Sequence, residues 1–243
     1  MKDTERVVIY RCEDGIADLT LNRPGQINAF NVQMRDELFE TLCLFQDDPS
    51  AKVGVLRGGG ERGFCAGADL TEFGTAPSQV IARSVRWERD LWGLFAELKK
   101  PLIASLHGYV IGSGIEIAAL CDIRIASDDC KFRMPEVALG MIPAAGGTQT
   151  IARLVKASNA LDIILTNRLI FSEQARKIGL VDRVVAFSEL TEKSEELAKE
   201  LSQMDLKIVA AAKRAVIEGS DLELKVGIQL ERRMAHILES QKR

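Results

Sequence analysis

The stretch KPLIASLHGYVIGSGIEIAALCDIRIASDDCKFRMPEVALGMIPAAGGTQ, residues 100–149, contains the features around which the fold is organised. Leu102–Leu106 is a mainly apolar run of strand length that ends at a glycine-rich corner. A short apolar helix follows, with Glu116 in its first turn. Asp122–Ser127 predicts a second strand, before a Met-Pro-Glu triplet that ends in Glu136. This alternation of strands and helices predicts an α/β protein.

Two carboxylates in this stretch have mostly Ile, Val, Leu, Ala and Met as sequence neighbours. A buried carboxylate costs several kcal/mol unless it is paired, or else its pKa rises. Glu116 and Glu136 are therefore candidates for catalysis. The alternative is a structural acid that bonds to an arginine or to a helix end, because structural ion pairs also perturb pKa values.

The composition predicts an ordinary globular chain. Of the 243 residues, 47% are hydrophobic and 28% are charged, which leaves enough apolar material for a large core. The net charge of −3 provides no basic surface for nucleic acid or for an anionic membrane. The N-terminus lacks an apolar signal core, and no run of about 18 apolar residues predicts a membrane span.

The five cysteines show no CxxC spacing, and the chain has only two histidines. A zinc site cannot be assembled from these residues by any common ligand spacing, so we expect no metal. Reduced thiols in the cytoplasm fit this pattern best.

The rest of the chain predicts a core followed by a helical tail. A hairpin is expected at Glu13–Gly15, between strands over 6–12 and 16–22, and a further strand over 53–57. Helices are expected from Asn28 and over 78–98, 148–155, 158–165, 172–178 (with Ser172 as its N-cap), 188–202, 206–218 and 222–240, with a last strand over 179–185. The composition changes near residue 187, which predicts a core over 1–187 and a helical C-terminal region over 188–243.

Gly58–Gly63 matches the pattern GxGxxG directly after a strand. A dinucleotide site needs a helix to begin there, but glycine and proline follow too soon at Gly74 and Pro77. The glycines predict either a simple turn or a loop whose backbone amides face a ligand.

Four motifs in the same order and at similar intervals resemble the crotonase (enoyl-CoA hydratase/isomerase) superfamily. They are LNRPGQINAF (21–30), GFCAGADLTEF (63–73), KPLIASLHGYVIGSGIEIAALCDIRIAS (100–127) and FRMPEVALGMIPAAGGTQ (132–149). The resemblance implies an α/β fold with a spiral core of repeated β-β-α units, two sheets and a C-terminal helical region. It also implies an acyl-CoA substrate and a homotrimer or a dimer of trimers, with no nucleic-acid partner expected.

The resemblance also implies the site. The thioester oxygen would lie between the backbone amides of Ala68 and Ser113, and the glycines beside Ser113 suit an exposed amide at a helix start. Glu116 would activate water and Glu136 would transfer the proton at Cα. No cofactor is expected beyond the coenzyme A of the substrate. Further substrate-binding positions implied by the resemblance are Gln26, Ala66, Asp69, Leu70, Gly112 and Ala144.

Three departures separate this sequence from the usual hydratase pattern. Gly25 stands where members often carry a lysine near the coenzyme A, and Ala144 stands where many have glycine. The segment that in hydratases continues past the last helix, over the acyl pocket, does not follow Glu239. These departures therefore affect two properties that the resemblance implies, the affinity for coenzyme A and the mode of assembly.

Two other functions stay open. A Δ3–Δ2 enoyl-CoA isomerase needs only one base, and Glu116 would then be a spectator. A crotonase-like scaffold without hydratase activity, including an RNA-binding one, would use basic clusters at 83–89, 207–214 and 231–233, but interspersed acids make these more typical of solvated helix faces. The acyl pocket is expected between residues 72–94 and Ile142, and its preferred chain length does not follow from the sequence.

Overall fold

The computed structural model describes residues 6–72 and 89–240. Its strands are β1 (Val8–Glu13), β2 (Ile16–Leu21), β3 (Val53–Gly58), β4 (Leu102–Leu106), β5 (Tyr109–Ile111), β6 (Ile123–Ser127), β7 (Lys131–Arg133), β8 (Ile170–Phe171) and β9 (Arg183–Val185). Its α-helices are α1 (Val32–Asp47), α2 (Leu91–Glu97), α3 (Ser113–Leu120), α4 (Gly147–Val155), α5 (Ala157–Thr166), α6 (Ser172–Ile178), α7 (Leu190–Ser202), α8 (Leu206–Ser220) and α9 (Leu224–Ser240). The α/β class is confirmed.

The strands form two sheets. The larger has the order β1-β2-β3-β4-β6-β9, in which only the β1–β2 pair is antiparallel. The smaller has the order β5-β7-β8, with β5 and β7 parallel and β8 antiparallel to β7. Its strands have three or two residues, which is too short for an alternating pattern to predict them.

The predicted hairpin joins β1 and β2. Asp14 and Gly15 have φ of 50° and 82°, as a two-residue turn between right-handed twisted strands requires. In β2, Ala17, Leu19 and Leu21 are fully buried and alternate with partly exposed residues, so one face of this strand lies in the core.

The larger sheet is buried on both faces. Met34, Leu38, Leu42 and Phe45 of α1 recur at helical spacing and belong to the main hydrophobic core. On the other face, apolar side chains of α7 pack against β3, β4 and β6 through Leu190, Leu197, Ala198, Val53, Val55, Ile103 and Ile125. Since α7 belongs to a core cluster with three strands, the tail that begins after residue 187 is in part a layer of the core. The division into 1–187 and 188–243 stays a prediction.

One predicted helix start and one predicted helix cap are wrong. Helix α1 begins at Val32 rather than Asn28, because Ile27 and Asn28 have left-handed φ of 50° and 54°, and Asn31 is the N-cap that accepts from the Met34 amide. In α6, Ser172 is the first helical residue and not a cap, and its hydroxyl donates to the Ser127 carbonyl at 2.6 Å. Only Leu91–Glu97 of the helix predicted over 78–98 is described, and the remainder lies outside the described residues.

The last two helices pack against each other and leave many apolar side chains exposed. Met234 is the one residue of α8 and α9 that is classed as buried. Exposed apolar residues on these helices and the turn between them are Ile208, Val216, Ile217, Leu222, Leu224, Val226, Ile228 and Ile237. Helix α8 is tied to the core by Lys213, whose ammonium lies 2.8 Å from Asp122 and donates to the Lys100 carbonyl at 3.0 Å. Among the described helices, none is long and apolar enough to cross a membrane.

Candidate active site

Glu116 lies in the first turn of α3 and is 2% exposed. Its Oε1 accepts hydrogen bonds from the backbone amides of Ala145 and Gly147, both at 3.1 Å. Gly147 is the first residue of α4, so the carboxylate faces the positive end of a second helix. Both bonds are made to Oε1, and the Ser113 side chain is a further hydrogen-bond partner of the carboxylate.

The pKa of Glu116 is raised from 4.5 to about 7. Burial is the largest cause, and the nearby charge of Glu136 raises the pKa further, while the amides of Ala145 and Gly147 act in the opposite direction. An acid with this pKa exists in both protonation states near neutral pH, which suits a group that accepts and returns protons.

Glu136 follows β7 and immediately precedes a single 3-10 turn, Val137–Leu139. Burial raises its pKa, and its Oε2 is buried with no hydrogen-bond partner among the described residues. The backbone amide of Glu136 acts on the pKa in the opposite direction, but burial is the larger cause, and a raised pKa favours the neutral form, which carries a proton that it can donate.

Gly112 brings the two acids together. Its carbonyl accepts from the Glu116 amide at 3.1 Å, and a Cβ atom on residue 112 would lie 2.5 Å from Oε1 of Glu136. Gly112 also has a φ of 48°, which side chains other than glycine rarely adopt. The absence of a side chain here therefore lets Glu136 approach the start of α3.

The Ser113 amide points away from α3. The carbonyl of Gly112 belongs to the same planar trans peptide group, and it accepts from the amides of Ile115 at 2.8 Å and Glu116 at 3.1 Å. The Ser113 N–H must point in the opposite direction, off the helix N-terminus, and it has no acceptor among the described residues. It is therefore a hydrogen-bond donor that is available to a ligand at the positive end of a helix.

The Ala68 amide is left free in the same way. Phe30 forms a parallel bridge with Ala68, in which its N–H donates to Gly67 at 2.8 Å and its carbonyl accepts from Asp69 at 3.0 Å. These two bonds use the neighbours of Ala68 and turn its own N–H away from Phe30. That amide has no acceptor within the described part of the chain.

Backbone pairing places the two amide-bearing segments side by side. Cys65 donates to Tyr109 at 3.0 Å and accepts from Ile111 at 2.9 Å, so the loop before Ala68 runs parallel to β5. Gly114 packs directly on this loop, because a Cβ there would lie 2.8 Å from the Cys65 carbonyl. The available amides of Ala68 and Ser113 and the two interacting acids thus belong to one region.

The other positions assigned by resemblance differ in their surroundings. Gln26, Leu70 and Ala144 are exposed, Ala66 is half-buried, and Gly112 is buried. The Asp69 carboxylate is already engaged, since Oδ2 lies 3.0 Å from the Arg23 guanidinium and Oδ1 accepts from the Thr71 hydroxyl at 2.6 Å. The substrate contacts of these six positions stay predictions.

Sequence reasoning missed Asn28, which organises the loop before Ala68. Its side chain is fully buried, and its Nδ2 donates to the carbonyls of Gly59, Gly63 and Phe64 at 3.0, 3.1 and 3.1 Å. The glycine pattern at 58–63 is thus a loop held by an amide, and no helix begins there, which excludes a dinucleotide fold. An asparagine beside a proline-glycine turn was the available signal, but it is equally typical of simple turns.

The chemistry of this region follows from its donors and acids. Two preorganised amides can stabilise negative charge that develops on a carbonyl oxygen, and two carboxyls with raised pKa values can move protons beside it. Among the described residues, no group of three His, Cys, Asp or Glu side chains is placed to hold a metal ion.

Comparison with known proteins shows the family of the chain and tests its fold. The sequence model described as Enoyl-CoA hydratase/isomerase matches residues 11–243. A probable mitochondrial enoyl-CoA hydratase of Dictyostelium discoideum is 36% identical over 221 residues, covering 90% of this chain and 78% of the relative. An (E)-benzylidenesuccinyl-CoA hydratase of Thauera aromatica is 34% identical over 223 residues, covering 91% and 86%. A crystal structure of a Bacillus anthracis enoyl-CoA hydratase aligns with a TM-score of 0.90 at 31% identity, covering 95% of this chain and 90% of that one. This likeness confirms the predicted crotonase-like fold.

Proposed function

Because the chain belongs to the enoyl-CoA hydratase/isomerase family, we propose that it adds water across the α,β double bond of a 2-enoyl-CoA thioester. The observation that carries this proposal is a pair of interacting acids, buried Glu116 and half-buried Glu136, in the region of two backbone amides that have no acceptor among the described residues. Hydration needs groups for both a hydroxyl and a proton, and a pair of carboxyls in different surroundings can divide these tasks.

The amides of Ala68 and Ser113 activate the substrate in this proposal. When they bind the thioester oxygen, electron density shifts from the double bond toward that oxygen, and Cβ becomes electrophilic. Attack by water gives an enolate-like state whose negative charge lies on the same oxygen. Loss of one such donor typically costs about 3 kcal/mol of transition-state stabilisation.

The two acids take different roles because their surroundings differ. Glu116 is held through Oε1 by two amides. When Glu116 is ionised, its Oε2 can accept a proton from the attacking water. Glu136, with an unpartnered buried oxygen, delivers a proton to Cα. The oxygen of water forms the new bond at Cβ, one proton passes to Glu116, and a proton from Glu136 completes the C–H bond at Cα.

A direct assay tests the proposal. Purified protein and crotonyl-CoA are mixed, and the loss of the conjugated enoyl-thioester absorbance is followed while mass spectrometry identifies the product. In deuterium oxide the product should be a hydroxyacyl-CoA with one deuterium on Cα. Absence of any hydroxyacyl product over a panel of enoyl-CoA chain lengths would contradict hydration and favour a scaffold without hydratase activity.

An isomerase that moves a double bond between the Δ3 and Δ2 positions is the second candidate. The observation that favours it is the pair of amide bonds to Glu116, because these bonds would also satisfy a purely structural acid. In that case Glu136 alone would shuttle the proton, and the Glu116→Gln variant would convert a 3-enoyl-CoA to its conjugated isomer at the wild-type rate. Under the hydratase proposal the same variant loses hydration.

Assembly and setting are also part of the proposal. The exposed apolar residues of α8 and α9 support a homotrimer or a dimer of trimers, which light scattering of the purified protein would measure. The five cysteines form no disulfides, which supports a cytoplasmic location that fractionation of the source cells would test. No cofactor beyond the coenzyme A of the substrate is required by the reaction.

A further inference from the structure

The guanidinium of Arg23 lies behind the Ala68 amide and has no part in the two-acid reaction. Its side chain is 17% exposed and pairs with Asp69, whose side chain is 13% exposed. Nη1 and Nη2 both lie 3.0 Å from Oδ2 of Asp69, and Nη1 also donates to the carbonyl of Ala29. A half-buried guanidinium has lost part of its solvation, so its contacts need a reason.

Two peptide groups connect this cation to the site. The Ala29 carbonyl and the Phe30 N–H belong to one planar trans peptide group and point in opposite directions. The group that donates to the carbonyl and the acceptor of the N–H therefore lie on opposite sides of this peptide group. That N–H donates to the Gly67 carbonyl at 2.8 Å. The Gly67 carbonyl and the Ala68 N–H belong to the next peptide group, and the Ala68 N–H is unspent.

We propose that Arg23 is a positioning residue that orients and polarises the Ala68 amide through this chain of hydrogen bonds. The chain runs from the guanidinium through the peptide groups 29–30 and 67–68 to the substrate oxygen. Every donor in it points the same way. The inference rests on the proposed function, because the oxygen at its end is that of a CoA thioester.

Polarisation and orientation both follow from the geometry. Hydrogen bonds in a chain strengthen one another by about 10–30% per bond, and a cation at the donor end adds to the effect. Each bond also fixes the plane of the peptide group that it reaches. Asp69 follows Ala68 directly, so the ion pair holds the far side of the same segment.

The Ser113 amide has no comparable cation in its own hydrogen-bond chain. The donors to the Gly112 carbonyl are the neutral amides of Ile115 and Glu116. The two oxyanion donors are therefore unequal, and the loss of Arg23 should affect only the Ala68 side.

A substrate analogue that cannot react gives the test a readout separate from turnover. Butyryl-CoA is saturated, so it cannot be hydrated, but its thioester carbonyl can be isotope-labelled and its infrared stretching frequency measured when bound. Stronger donors lower that frequency. The wild-type protein, Arg23→Met, Arg23→Lys and a control, Arg57→Met, are compared at equal occupancy. Arg57 forms a similarly half-buried pair with Asp18 at 2.7 Å.

In Arg23→Met the carbonyl frequency should move back toward that of free butyryl-CoA, and kcat for crotonyl-CoA hydration should fall about tenfold. KM should change by less than about threefold, since the loss concerns the transition state. Arg23→Lys should lie between, because an ammonium keeps the charge but cannot reproduce the planar contacts. Arg57→Met should leave the frequency unchanged.

A wild-type frequency in Arg23→Met, or an equal shift in Arg57→Met, would overturn the inference. Should Arg23→Met not fold, Arg23→Lys decides alone: an intermediate frequency supports the inference, and the wild-type frequency contradicts it. A wild-type protein that lowers the carbonyl frequency but hydrates nothing would contradict the proposed function, while the Arg23 comparison would still decide the inference.

Discussion

Gly112 and Glu136 are packed so closely that a Cβ atom on residue 112 would lie 2.5 Å from Oε1 of the glutamate. Gly112 has a φ of 48° and precedes the helix that carries both Ser113 and Glu116. One glycine therefore sets the position of one proposed catalytic acid, one proposed oxyanion donor and the helix of the second acid.

Substitution of this glycine should separate packing from strain. Gly112→Ala is expected to lower stability by about 1–3 kcal/mol through its positive φ, and to lower kcat by at least about 100-fold through displacement of Glu136. Denaturant melts and steady-state kinetics measure both.

Gly140→Ala is the matched control, because Gly140 has a φ of 75° but no atom within 4 Å of an added Cβ. It should lose stability and retain kcat. If Gly112→Ala loses no more activity than Gly140→Ala, the contact with Glu136 does not matter for catalysis.

The raised pKa of Glu116 should appear in the pH dependence of stability. The folded protein binds this proton more tightly than the unfolded chain, so the contribution of Glu116 to the free energy of unfolding is complete below pH 4.5 and is lost as the pH rises through about 7. The contribution is on the order of 3 kcal/mol. Glu116→Gln should remove most of this decrease in urea titrations over that range, whereas the surface variant Glu200→Gln should keep it. An unchanged slope in Glu116→Gln would contradict the raised pKa.

The protein should lose stability even when Asn28 is replaced by a side chain of the same shape. In Asn28→Asp, an acceptor replaces the donor that faces three backbone carbonyls at 3.0–3.1 Å, and we expect a loss of about 3 kcal/mol. Asn31→Asp is the matched control, since that side chain accepts a hydrogen bond as the N-cap of α1 and an aspartate can do the same. Equal stability of the two variants in guanidinium melts would show that the carbonyl contacts contribute little.

The last two helices should depend on Lys213 more than on its neighbour. Lys213→Met removes an ion pair whose side chains are 12% and 22% exposed, and should destabilise the protein by about 1–3 kcal/mol. Arg214→Met removes a pair with Glu218 whose side chains are 64% and 45% exposed, and should cost less than about 0.5 kcal/mol. Thermal melts of both variants test this difference, and a smaller loss in Lys213→Met would contradict the docking role.

The parts of the fold that sequence could predict are those with a local pattern. Leu102–Leu106 and the start and end of Leu206–Ser220 differ from prediction by at most two residues, because apolar runs and helical spacing are properties of neighbouring residues. The left-handed Ile27 shows the limit. A β-branched residue disfavours this conformation locally, and the tertiary bonds of the 23–30 loop, such as that from the Ala66 amide to the Ile27 carbonyl at 2.8 Å, outweigh the preference.

For the same reason, only some residues of the candidate site could be predicted from the sequence. Glu116 and Glu136 stood out as acids in apolar sequence. The supporting residues did not, because their partners are distant backbone groups: Asn28 bonds to carbonyls 31 to 36 residues away, and Arg23 pairs with Asp69, 46 residues away. No periodicity in the chain records such contacts, and a polar residue in a turn is usually only a turn residue.

The central claim is that Glu116 and Glu136 act as a pair in hydration. Its most direct test is kcat for crotonyl-CoA hydration by Glu116→Gln and Glu136→Gln, each with butyryl-CoA binding measured alongside. We expect each variant to bind butyryl-CoA nearly as the wild type does and to lose about 1,000-fold or more in kcat. Wild-type kcat in both variants would contradict the two-acid reaction.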